Sequence, residues 1–178
     1  MAGFIPEITT RITVNIKTEG LDEAIIRLNS DSVLSNVTSI ADELNTKKSE
    51  IKQLQEPLGE SVAELLQSNQ SMIISSRHYI TGMFANSVDI IRDGSDYLVG
   101  NTAMSVDGFP YPLAIEKGRR AVYPINRHYL RWFDGGDFSS PVFAKYSRSV
   151  DADPFVQPSI DDTLYGIDKV VDEILDGL

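Results

Sequence analysis

Residues 86–103 read NSVDIIRDGSDYLVGNTA. Two short apolar runs flank Asp93-Gly94, and an Asp-Gly between β-like runs signals a hairpin, because a tight two-residue turn needs residues that tolerate positive φ. The pattern predicts strands over 86–92 and 96–101. Downstream, HYLRWFDGGDFSSPVFAKYSRSV at 128–150 repeats the arrangement. Tyr129, Arg131 and Phe133 alternate with Leu130 and Trp132, and PVFAKYSRSV alternates again beyond Gly135-Gly136, which predicts a second hairpin.

Between the hairpins, VDGFPYP at 106–112 is a loop by its Gly and Pro content. Pro112 can open a helical turn, LAIEKG, that Gly118 ends as a C-cap. After the second hairpin, DADPFVQPS is a loop containing Pro154 and Pro158. SIDDTLYGIDKVVDEIL then places Ile160, Leu164, Ile167 and Ile174 on one helical face. Ser159 is the expected N-cap, with Asp161 and Asp162 favouring the helix dipole in the first turn.

Upstream, ITTRITVNIK at 8–17 alternates Ile8, Thr10, Ile12, Val14 and Ile16 against polar neighbours, a strand with one buried face. A short helix is expected over 21–29. Over 31–75 apolar residues recur at Val33, Val37, Ile40, Leu44, Ile51, Leu54, Leu58, Val62 and Leu65, a helical stripe. Pro57 interrupts it, so one helix should end near Gln55 and the next should carry Pro57 in its first turn. The stripe packs either on the chain's own sheet or on a neighbouring subunit. The order predicts an α+β fold: a mostly antiparallel sheet of two hairpins plus an N-terminal strand, long N-terminal helices and a C-terminal helix. We read 1–178 as a single domain, with a strand and helical region at 1–75 and a β-rich region at 76–178.

The chain of 178 residues is 42% hydrophobic, enough for a core, and carries a net charge of -10. Its sixteen basic residues read as scattered, densest in KGRR at 117–120, so tight wrapping of DNA is not expected. Without cysteine, disulfides and thiolate metal sites are excluded. No apolar run is long enough for a membrane span, and the N-terminus lacks a secretory pattern. Assembly in the cytoplasm is the simple expectation.

Chemistry-bearing motifs are sparse. His78 and His128 are the two histidines and stand in no metal-binding spacing. No Gly-x-Ser-x-Gly elbow or phosphate loop occurs. The acidic pairs in DGGD and DADP lack the calcium-loop pattern and read as solvated turns. No cofactor or metal is expected, and the chain is not read as an enzyme. The competing enzyme reading is a small hydrolase using His78 or His128 with a nearby Asp. A third reading, a nucleic-acid-binding module, predicts steep loss of duplex affinity with salt.

The pieces NSVDIIRDGSDYLVGNTA, YPLAIEKGRRAVYPI, LRWFDGG…PVFAKYSRSV and DPFVQPSIDD occur in this order. Together they resemble the neck and tail-completion family of long-tailed double-stranded DNA phages, minor tail protein Z-like. Tyr111, Ala114, Glu116 and Gly118 match one motif, and Pro154, Phe155 and Pro158 the other. The resemblance covers roughly 76–178; the Arg pair after Gly118 departs from the Thr or Ser often found there. It implies a non-catalytic virion protein of the head–tail junction, forming a ring (sixfold in the implied setting) and docking to head-completion and tail proteins. Genome DNA would pass through the channel without tight binding. On this reading Tyr111, Glu116, Lys117, Arg119, Arg120 and Tyr123 form a partner interface in an exposed turn, and the arginines meet an acidic loop, Asp134–Asp137 or Asp151–Asp153, of an adjacent copy. Phe155 is expected to be buried and to pin the last helix to the sheet.

Overall fold

The computed structural model of the chain describes residues 5–20, 35–77, 82–104, 108–133 and 141–176. The fold is α+β. Its elements are β1 (Thr9–Ile12), α1 (Ser35–Gln53), α2 (Gln55–Arg77), β2 (Val88–Asp93), β3 (Asp96–Asn101), α3 (Tyr111–Lys117), β4 (Leu130–Phe133), β5 (Pro141–Ala144) and α4 (Val156–Asp176). The helix expected over 21–29, the Gly135-Gly136 turn and His78 lie outside the described residues.

The first hairpin organises the core. β2 pairs antiparallel with β3 from Val88↔Asn101 to Asp93↔Asp96, leaving Gly94 and Ser95 as the turn. Gly94 has φ 66°, and no described residue other than glycine has positive φ. That combination is a type II′ turn, whose twist matches its strands. β1 pairs on the other edge of β3, from Thr9↔Gly100 to Ile12↔Tyr97, giving the order β1-β3-β2. β1 is shorter than the expected 8–17 because its partner runs out: beyond Tyr97 only Asp96 remains before the turn. The alternation nonetheless persists, with residues 11, 13, 15 and 17 exposed and 12, 14 and 16 half-buried.

One sheet face carries Ile12, Tyr97, Val99, Val88 and Ile90, and α2 packs across it with Ala63, Leu66 and Ile74. Gly59 permits the close approach: a Cβ there would stand 2.8 Å from the Tyr97 ring. α4 lies along α2. Their seam holds a buried polar relay in which Asn69 Nδ2 donates to Thr163 Oγ1 (3.0 Å) and Thr163 donates to the Ser159 carbonyl (2.7 Å). α1 ends at Gln53 because the ring of Pro57 collides with the carbonyl four residues earlier, and α2 restarts at Gln55. The apolar stripe divides at this break. Val62 and Leu66 are buried against the sheet, whereas no residue of 42–53 is buried.

The two hairpins do not share a sheet. β4 and β5 pair only with each other, from Leu130↔Ala144 to Phe133↔Pro141. Two isolated antiparallel bridges, Arg119↔Val150 and Val122↔Ser147, continue that pairing back toward α3 and α4. Residues 119–133 and 141–150 thus form a double-stranded arm rooted between two helices. No residue of 118–131 or 141–154 is buried.

Candidate protein-docking surface

The root of the arm is built by backbone fit. Gly118 closes α3 with φ 71° and ψ 171°, a conformation essentially restricted to glycine. A Cβ there would meet the Ala152 nitrogen and the Val150 carbonyl oxygen, each at 2.8 Å. Gly118 is the expected C-cap, in an extended positive-φ conformation that presses it against the returning strand. The Asp153 N–H donates to the Ile115 carbonyl (2.9 Å), and Arg77 Nη1 reaches Asp153 (3.0 Å) and the Pro154 carbonyl (3.2 Å). The DADP loop is thereby tied to both α3 and the end of α2.

Three of the expected interface residues take part in this internal framework. Glu116 is half-buried, and its Oε2 accepts the N–H groups of Phe155 (2.8 Å) and Val156 (3.2 Å). It caps α4 from a distance, because Phe155 occupies the N-cap position and offers no acceptor. Ser159, expected as the cap, lies inside the helix and is buried, its hydroxyl donating to the Val156 carbonyl (2.7 Å). Tyr111 turns toward the core, edge-on to Phe84 (5.5 Å), and Phe84 is in turn edge-on to the fully buried Phe155 (5.6 Å). Burial pushes the Tyr111 phenol pKa up.

Arg119 is the third, and its expected exposure is corrected. It does not project from a solvated turn. Its backbone exchanges two 2.9 Å hydrogen bonds with Val150, and its Nη2 donates to Ser147 Oγ (2.6 Å). The arm folds back on this position, so the side chain is half-buried in the ladder. Lys117, Arg120 and Tyr123 remain exposed. Asp153 already pairs with Arg77, and Asp134–Asp137 lies outside the described residues. Pro158 sits in the first turn of α4, and Pro154 lies just before it.

What the arm presents is apolar and basic. Tyr123 stacks on Tyr146 at 5.7 Å, and Ile125 is 95% exposed, with Tyr129 and Phe143 also exposed. Residues 117–148 hold seven of the sixteen basic residues against two acidic ones. The arm is thus net basic, although ten of the sixteen basic residues, Lys117 included, lie outside it. Residues 149–178 hold eight acidic residues and one basic. Counting charge over segments of about thirty residues would have found this from sequence.

His128 is exposed on the arm and bonds to no described carboxylate or hydroxyl. Among the described residues, no group of three or more His, Cys, Asp or Glu could hold a metal ion, and no helix is long and apolar enough to cross a membrane. No family model matches the chain, and no curated protein or solved structure matches it significantly.

Proposed function

We propose that this chain is a structural, non-catalytic component of the head–tail junction of a long-tailed double-stranded DNA phage, a neck or tail-completion protein assembled in the host cytoplasm. It works as a ring of identical copies, sixfold in the setting the motif order implies, and joins head-completion proteins to tail proteins. The observation that carries the reading is the arm. No side chain of 119–131 or 141–150 is buried, and these segments expose Tyr123, Ile125, Tyr129 and Phe143. An isolated two-stranded ribbon is marginal in water, and exposed aromatic anchors beside arginines are the composition of interface hot spots. Leu44 and Ile51 of α1, both half-buried, add a second surface of the same kind. A net charge of -10 suits a channel wall that repels phosphate, so that DNA slides without sticking.

The test is placement and need. Mass spectrometry of purified virions should find the chain in stoichiometric amounts, and phages lacking its gene should accumulate unjoined heads and tails that the wild-type gene rescues. Absence from virions, with joined particles formed normally, would remove the reading.

A further inference from the structure

A groove of about 400 Å³ opens between β1, α2 and α4. It is lined mainly by apolar side chains, among them Ile12, Val14, Leu58, Val62 and Ile167, and none of its lining residues comes from the arm. Leu164, a lining residue, is 62% exposed. Asp161 and Asp168 stand about one helical turn to either side of it on exposed positions of α4, whose sole basic residue is Lys169. The one charged lining residue, Arg11, is already paired with Asp93 and Asp96. The chain therefore bears an apolar groove flanked on α4 by aspartates and, elsewhere, an arm that exposes apolar and basic side chains.

We propose that the arm of one copy docks into the β1–α2–α4 groove of a second copy. The arm's Ile125, Tyr129 and Phe143 would cover the apolar groove, while Arg120, Arg127 and Arg148 face the aspartates of α4. Charge complementarity selects the occupant. The sign that a groove-filling partner must carry is the sign this chain concentrates on its own arm, and each surface is self-repelling with another of its kind. Duplex DNA accounts for the basic residues but offers nothing for an almost fully exposed Ile125 and an exposed Phe143 to bury against. The contact uses different patches on the two molecules, so it is heterologous, and repetition closes a ring or grows a filament. It supplies the arm with the burial that its own chain does not.

The inference rests on the self-associating reading above, and the following test separates the two. The chain has no cysteine, so single-cysteine variants report cleanly. Ile125→Cys and Leu164→Cys proteins, mixed and treated with a short bis-maleimide, should yield a cross-linked heterodimer. Ile125→Cys mixed with Met72→Cys, an exposed position on α2 away from the groove lining, should not. Sedimentation should show that Arg127→Glu with Arg148→Glu raises the self-dissociation constant about tenfold or more. Mixing that variant with Asp161→Lys plus Asp168→Lys protein should restore association, and circular dichroism checks that each variant is folded. A cross-link to Leu164→Cys no stronger than to Met72→Cys, or one joining Ile125→Cys to itself alone, overturns the docking. So does a monomer at all concentrations whose arm instead retards duplex DNA in a salt-dependent way. These measurements read the contact on purified protein whether or not it enters virions; particle content reads the phage role separately.

Discussion

The carboxylate of Glu116 caps a helix that begins forty residues later: its Oε2 takes the N–H of Val156 at 3.2 Å and that of Phe155 at 2.8 Å. α3 and α4 are thereby locked together across the base of the arm. Removing a capping acceptor costs about 0.5–2 kcal/mol, and a carboxylate at a helix N-terminus adds a favourable dipole interaction. Glu116→Ala should therefore lower stability by about 1–2 kcal/mol, with Glu116→Gln intermediate because it keeps one acceptor oxygen. Urea denaturation of the three proteins checks the ranking.

Phe155 is fully buried and meets Phe84 edge-on. Phe155→Ala should cost about 3–5 kcal/mol from lost burial and the cavity left behind. Phe155→Leu should cost less, since it refills most of the volume. An unchanged thermal midpoint for the alanine variant would contradict the packing described.

Gly118→Ala should destabilise the root of the arm. The conformation alone costs about 1–3 kcal/mol for a residue with a Cβ, and the clash is with backbone atoms of Val150 and Ala152, which cannot rotate away. The expected signature is selective: limited proteolysis should cut within 119–150 sooner than in wild type, while the far-UV helical signal stays.

Gln70 is fully buried on α2, and neither its Oε1 nor its Nε2 has a hydrogen-bond partner among the described residues. An unsatisfied buried amide costs about 1–3 kcal/mol. Gln70→Met, close in volume and flexible, should raise the melting temperature. A fall would show that the amide is satisfied by water.

Arg11 donates to Asp93 and Asp96, each at 2.8 Å, clamping β1 to the ends of the hairpin. The hydrogen bond from Arg11 holds the Asp96 carboxyl below its ordinary value of 3.8, with a further hydrogen bond from Thr13. A carboxylate depressed in the folded state contributes stability that is present above the unfolded pKa and is lost as pH falls through the folded one. Wild type should therefore lose stability below pH 3.8 more steeply than Arg11→Ala. Both groups are exposed, so 0.5 M salt should shrink the difference, as screening shortens to a few ångströms. Parallel acid limbs in melting curves against pH would refute the clamp.

The sequence announced its local features well. Asp93-Gly94 marks the hairpin because turn chemistry acts over four residues, and Pro57 marks the helix break because its clash reaches back only to Gln53. The alternation over 8–17 identified the half-buried side correctly, but the strand's end depended on where β3 stops, which lies some eighty residues away. The expected exposure of Glu116 and Arg119 failed for the same reason. Glu116 and Arg119 look like solvent-facing charges beside Lys117 and Arg120 until the chain returns at Ser147, Val150 and Phe155 to use them. The separation of basic arm from acidic helix was countable throughout, yet it is spread too thinly for any short motif to show it.

That separation makes the molecule an electric dipole carried on a net negative body. At very low ionic strength the overall repulsion between copies of charge -10 extends tens of ångströms and slows their encounter. Near 0.15 M salt the screening length is about 8 Å, which quenches that monopole repulsion while attraction between an arm and a facing helix still operates at contact. Strong salt then erodes the attraction too. On the proposed docking of arm into groove, association should therefore be fastest at an intermediate ionic strength, with approaching copies turned arm towards α4 before they touch.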